Sequence, residues 1–253
     1  MPLAIDARIF IERARIMPIN RRSADQTHIA EQTLHRLRFE GPPRRSPGNE
    51  VKEAAPAYAR ASLETLRETA AHCKACPLWR GATQTVFGEG ADHAPLFVVG
   101  EQPGHSEDLE GHPFVGPAGQ LLERAFELAG VRREDIYLTN AVKHFKWELR
   151  GKRRMHKTPG QREITACHPW LDAELDLVTP KVIVCLGATA ARAVLGGPIR
   201  VGEYRGRPIP SPRGIPTIVT VHPAYVLRLH SGEAESVYEN LIADIRKAAA
   251  LAL

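Results

Sequence analysis

With 253 residues, the chain is long enough for one large domain or two small ones around a full core. Hydrophobic residues at 43% and charged residues at 25% are ordinary soluble composition, and no apolar run reaches the roughly 18 residues a membrane span requires, which excludes collagen-like, coiled-coil and membrane-spanning readings. The net charge of +5 points to a polyanionic partner only where it is concentrated in one place.

Residues 1 to 55 carry scattered Arg and the cluster Gly41-Pro42-Pro43-Arg44-Arg45-Ser46-Pro47-Gly48 without a sustained apolar period, and are expected to be a flexible extension with at most a short helix over Thr27–Leu37. The first thirty residues lack a continuous apolar segment of the secretory type, so a reducing cytoplasm is expected, where four cysteines imply metal, cofactor or burial rather than disulfides. A single domain is expected over residues 56–253.

Leu63, Leu66 and Ala70 mark one face of a first helix that leads to Cys73. Pro95–Gly100 reads as a buried strand, and Leu122, Ala125, Phe126 and Ala129 recur at helical spacing until Gly130 stops them. Ile136–Asn140 is a second strand, followed by a helix lined by Ile164, Leu171, Leu175 and Val178 that ends before Pro180. Lys181–Leu186 and Thr217–Val221 are the third and fourth strands, separated by an Ala-rich helix over Ala188–Leu195. Leu241, Ile245, Ala248 and Leu251 give a closing amphipathic helix. Strands that read as continuous apolar runs between helices predict an α/β fold, a three-layer α/β/α sandwich with a central, mostly parallel four-stranded sheet.

In such a sheet, ligands bind beyond the carboxyl ends of the strands. Three of the four ends are polar: Gly100-Glu101-Gln102-Pro103-Gly104, Asn140 followed by Lys143-His144-Phe145-Lys146, and His222-Pro223-Ala224-Tyr225. Singly each suits a turn or cap; jointly they gather a carboxylate, two amides and a histidine on one edge. Phe114, in the Gly- and Pro-rich stretch Glu110–Gly119, offers either a stacking surface for a base or a plug beneath the loop. Lys143–Lys157 holds seven Lys or Arg against one Glu, a net +6 that exceeds the excess of the whole chain, with Phe145 and Trp147 interleaved. That pattern suits phosphate neutralisation combined with base contact. His156 lies among its cations, which disfavour imidazolium and leave a neutral ring available as nucleophile or base.

The cysteines are spaced as Cys73-Lys-Ala-Cys76, then Cys167 and Cys185. One iron-sulfur cluster would use all four; a zinc ribbon expects a second close pair, and burial is the alternative for Cys167 and Cys185.

Taken in order, the leading CxxC, the GEQPG loop, the ED-x-x-G-x-PFVGPAG segment, the strand ending in Asn140, the two distant cysteines and the HPA-Y motif at His222 resemble the family 4 uracil-DNA glycosylases, over about Leu63 to the end. Within them the chain is similar to the UdgX class, through Gln102 and the basic KRRMH segment. Met155, His105 and the Ala224-Tyr225 pair depart from the class pattern.

The resemblance implies a 4Fe-4S cluster on Cys73, Cys76, Cys167 and Cys185. It implies uracil-containing DNA, single-stranded by preference, as the partner of a monomer. His156, Glu101, Gln102 and His222 would be catalytic, with His156 attacking the sugar in a single turnover. Gly100, Gly104, Phe114, Asn140, Lys152, Arg153 and Arg154 would bind substrate. A turnover glycosylase in which His156 only contacts phosphate, and a non-catalytic iron-sulfur module for nucleic acid, are the alternatives.

Overall fold

The computed structural model describes residues 62–253, so the expected extension and its short helix lie outside the described residues. Among the described residues, eight strands and eight α-helices follow in chain order. Helix α1 (Leu63–Ala70) is capped by the Ser62 hydroxyl, which accepts from Thr65 N–H at 3.2 Å. Strands β1 (Glu89–Gly90) and β2 (Leu96–Gly100) precede helices α2 (His105–Glu110) and α3 (Pro117–Ala129). Pro117 occupies the first turn of α3, and Gly130 closes it in the left-handed region at φ 77°. Then come β3 (Ile136–Asn140), β4 (Trp147–Arg150), β5 (Arg153–His156), α4 (Gln161–Val178), β6 (Val182–Leu186) and α5 (Gly187–Leu195). The chain continues through α6 (Val201–Tyr204), β7 (Pro208–Pro210), β8 (Pro216–Thr220), α7 (Pro223–Val226) and α8 (Ser231–Ala252).

The main sheet runs β1-β3-β2-β6-β8-β7. Its four central strands are parallel and are the four expected; β1 and β7 add short antiparallel edges. These edges escape the sequence pattern because one has two residues and the other is Pro-Ile-Pro, too short for a period. Alternation of side chains along each central strand divides one apolar run between two layers. Leu96, Val98, Ile136, Leu138, Val182, Val184 and Ile218 join α3 and α8 on one face. Phe97, Val99, Tyr137, Ile183, Cys185 and Val219 join α1, α4 and α5 on the other. A three-layer α/β/α arrangement results, and chain direction across the sheet reverses between β2 and β6.

The expected basic loop is half β-structure. β4 and β5 pair antiparallel around Gly151-Lys152, with Trp147 opposite His156 and Leu149 opposite Arg154. Alternation in β5 sets Arg154 and His156 on one face.

Beneath the end of β3 lies a fully enclosed ion pair. Lys143 Nζ meets Glu174 Oε2 at 2.5 Å, with the two side chains 1% and 0% exposed. The ammonium also donates to Thr139 Oγ1 at 2.5 Å and to the Asn140 carbonyl at 2.9 Å. Glu174 accepts in addition from Gly88 N–H, the Tyr137 hydroxyl and the Thr139 hydroxyl, so every charge has partners. Removing one ion strands the other in the core, which costs about 3–5 kcal/mol. We expect Lys143→Met to lose stability of that order in urea denaturation, and Lys143→Met with Glu174→Gln to recover part of it.

Candidate active site

The carboxyl ends of the central strands meet at one crevice. β2 delivers Gly100 and Glu101, β3 delivers Asn140, and β8 leads through Val221 to His222. A Cβ on Gly100 would stand 2.4 Å from Asn140 Oδ1 and 2.7 Å from Phe114 Cζ. Only glycine fits between the amide and the ring, so Gly100, Phe114 and Asn140 stand together at the end of β2. Asn140 is 3% exposed. Phe114 holds φ 59°, an uncommon backbone for an aromatic residue. The next turn is fixed by Glu107, whose carboxylate accepts from Gly116 N–H at 2.8 Å and Gly104 N–H at 3.0 Å. Gly104 thus serves as the entry to α2 and ties its loop to that of Phe114.

His156 reaches the crevice from β5. Its Nε2 stands 3.6 Å from Glu101 Oε1, and its ring is 6.1 Å from that of Phe145 between centroids. Loss of water around the ring lowers the His156 pKa, Glu101 opposes the shift, and Arg228 reinforces it. The neutral imidazole expected from the sequence therefore has a different main cause: desolvation dominates, and the cation that contributes comes from beyond α7, not from the basic segment. Arg228 follows the HPAY motif by three residues and was not among the expected site residues.

His222 is tuned more strongly. Desolvation, with His156 and Arg228 adding to it, pulls its pKa down from 6.5 to about 4. Its Nδ1 accepts the Ala224 N–H at 3.1 Å, so the neutral ring carries its proton on Nε2. His222 is thus a neutral donor, suited to meeting negative charge as it develops.

Gln102, expected to act beside Glu101, makes no contact of that kind. Its Oε1 accepts from Lys146 N–H at 3.1 Å, and its Nε2 donates to the carbonyls of Lys146 at 3.1 Å and Lys157 at 3.2 Å. The side chain pins both ends of the β4–β5 hairpin that carries His156.

Arg154 is likewise directed inward. It pairs with the buried Asp108 at 2.7 Å, meets His105 Nδ1 at 2.8 Å, and lies over the Phe145 and Trp147 rings at 5.6 and 5.5 Å. Asp108 in turn accepts from Thr83. The net +6 of the segment is consequently much reduced as a phosphate attractor. Lys143 and Lys146 pair with Glu174 and Glu163, and Arg150 and Lys157 with Glu148. Among the described residues, Lys152 and Arg153, beside the hairpin turn, are the members of the segment without a carboxylate in salt-bridge range.

Three of the four cysteines draw together. The charges of Cys73 and Cys76 both act on Cys167, and that of Cys73 on Cys76. Trp170 Nε1 donates to Cys73 Sγ at 3.3 Å and Lys143 N–H to Cys167 Sγ at 3.2 Å, the kind of contact that tunes cluster sulfurs. Cys185 does not join them. It sits in β6 between Val99 and Val219, fully buried, and burial alone raises its pKa. Among the described residues, no three His, Cys, Asp or Glu side chains are arranged to hold a metal ion. Cys73, Cys76 and Cys167 thus influence one another, while the sheet register holds Cys185 inside the core, apart from them.

The ends of the parallel strands thus bring together a carboxylate, two neutral histidines and a buried amide. The profile of the Uracil DNA glycosylase superfamily matches residues 87–246, and the chain belongs to that superfamily. It is similar to the type-4 uracil-DNA glycosylase of Thermotoga maritima, with 39% identity over 187 residues, 74% of this chain and 92% of that protein. The type-4 enzyme of Pyrobaculum aerophilum is 37% identical over 175 residues, covering 66% of this chain and 85% of that one. A type-5 uracil-DNA glycosylase from the same organism is 29% identical over 205 residues, 74% of this chain and 85% of its own length.

The depressed His222 pKa has a consequence for stability. Between pH 6.5 and about 4 the unfolded chain binds a proton at this ring that the folded chain refuses, so stability is fully present above pH 6.5 and lost as pH falls toward 4. The loss is at most about 3 kcal/mol from this group, with His156 adding in the same direction. Urea midpoints measured across that range should fall less steeply for His222→Asn than for the wild type.

Proposed function

We propose that the protein is a DNA-repair glycosylase that excises uracil and is then captured on the resulting sugar through His156. The observation that carries this reading is the approach of His156 Nε2 to Glu101 Oε1 in the crevice that also holds Asn140 and His222. A uracil must leave the base stack before its glycosidic bond can be reached, at a cost of a few kcal/mol that is smaller in a single strand. The extruded base would enter between Phe114 and the Asn140 amide. That amide offers an acceptor for uracil N3–H and a donor for O4, whereas cytosine presents the reverse pattern.

As the C1′–N1 bond breaks, its electron pair goes to uracil, and the Nε2–H of neutral His222 stabilises the charge at O2. The sugar is left electron-poor at C1′. The neutral His156 ring then supplies a lone pair, forms a C–N bond to C1′ and becomes a positively charged alkylimidazolium facing Glu101. The departing uracil anion takes a proton from water. An imidazole nitrogen joined to a sugar carbon is a poor leaving group, so the adduct persists and the enzyme turns over once. Lys152 and Arg153 at the hairpin turn would meet phosphates, while Arg154 holds the hairpin against α2.

Cys73, Cys76 and Cys167 support an iron-sulfur centre with a structural role, without Cys185 in its ligand set. When bound, such a cluster would stiffen the link between the CxxC segment and α4.

A monomer acting in the cytoplasm completes the reading; among the described residues no helix is long and apolar enough to cross a membrane. Incubation with single-stranded uracil DNA should give a band shift that survives SDS and is absent with thymine DNA. His156→Ala should abolish the shift; an unchanged shift would overturn the capture role, and free uracil in molar excess over protein would establish ordinary turnover instead. Iron and sulfide analysis should find both lost in Cys73→Ser and retained in Cys185→Ala.

A further inference from the structure

Of the four central strand ends, the one after β6 carries no polar cluster in the sequence, yet it supplies a contact to the crevice. Thr189, in the first turn of α5, donates its hydroxyl to Glu101 Oε2 at 2.5 Å. The other oxygen, Oε1, is the one that faces His156 Nε2 at 3.6 Å. A carboxylate is planar, so holding one oxygen fixes where the second points.

Both ends of Glu101 are restrained from opposite sides of the sheet's reversal point. Its carbonyl accepts Val142 N–H at 3.1 Å from the chain beyond β3, while Thr189 grips the side chain from beyond β6. In a helix interior a threonine hydroxyl commonly turns back to the carbonyl four residues earlier. Here that residue is Cys185, inside β6, so no helical carbonyl lies behind Thr189 and its hydroxyl is available to the crevice. Thr189 is 8% exposed and β-branched, which limits its rotamers and makes the donor a rigid one.

We propose that Thr189 is a positioning residue for the reaction: it holds Glu101 so that Oε1 is presented to His156, and it acts on catalysis through Glu101 alone. The assignment rests on the reading of Glu101 and His156 given above. Without the hydroxyl, the carboxylate rotates freely or turns to water, and the cation formed as uracil leaves loses its fixed counter-charge. The serine variant keeps the hydroxyl; the valine variant keeps the shape and removes it.

The test measures single-turnover uracil release and adduct formation on single-stranded uracil DNA, together with DNA affinity, for the full chain and its variants. Thr189→Val should slow uracil release about 10- to 100-fold, leave DNA affinity unchanged and keep a native melting transition. Thr189→Ser should recover to within about threefold of wild type. Combined with Glu101→Gln, Thr189→Val should add no further loss, because the group it positions is already disabled.

Wild-type rates in Thr189→Val, or the same fractional loss in the Glu101→Gln background, would overturn the assignment. Should the valine variant fail to fold, Thr189→Ala carries the same comparison against Thr189→Ser. If wild type releases uracil without forming an adduct, the capture reading fails, while the Thr189 comparison still stands on the release rate. If wild type releases no uracil, both fall.

Discussion

The Lys143–Glu174 pair is the interaction on which the site most depends. Two full charges buried at 1% and 0% exposure are tolerated only because each has several partners. Those partners are the structure that matters: Thr139 and the Asn140 carbonyl at the end of β3, Tyr137 within β3, Gly88 ahead of β1, and α4 through Glu174 itself. Because Lys143 holds the backbone of Asn140, the amide proposed to read the base is anchored from below by electrostatics as well as by the strand ladder. The same residue's N–H meets Cys167 Sγ, so the cysteine group and the pocket share one support.

Around that anchor, polar side chains divide between those that face the crevice and those that hold the facing residues. Glu101, Asn140, His156 and His222 face it. Gln102 and Glu107 are engaged with backbone, Asp108 with Thr83 and Arg154, and Thr189 with Glu101 itself. A hairpin such as β4–β5, with two strands and few contacts of its own, is marginally stable in isolation. Gln102 binds it at both ends, and Arg154 clamps it to Asp108 and to the Phe145 and Trp147 rings. His156 is thus delivered by a braced strand, as the proposed attack on C1′ requires.

Electrostatics at the site follow from desolvation more than from the abundance of basic residues. Both His156 and His222 are kept neutral chiefly by loss of water, with Arg228 contributing to each. Neutrality serves opposite ends in the two rings. In the proposed reaction one keeps a lone pair for attack, and the other keeps a proton to donate without carrying a charge that would bind the ground state as strongly as the transition state.

The sequence by itself determined the four central strands, the longer helices and the polar residues at three strand ends, because hydrophobic period and strand-end position are local properties written in consecutive residues; the short helices α2, α6 and α7 carry too few residues to show a period. It also drew attention to His156, through its place in a dense basic segment. What only the tertiary structure decided are the pairings between residues far apart in the chain. Lys143 finds Glu174 thirty-one positions away, and Glu101 finds Thr189 eighty-eight positions away. The basic segment reads as an open phosphate-binding loop until folding shows three of its seven cations matched by carboxylates from elsewhere and two by its own Glu148. Cys185 reads as a ligand by count, but the alternation of β6 turns it into the core, since register and not composition sets which way a strand residue points.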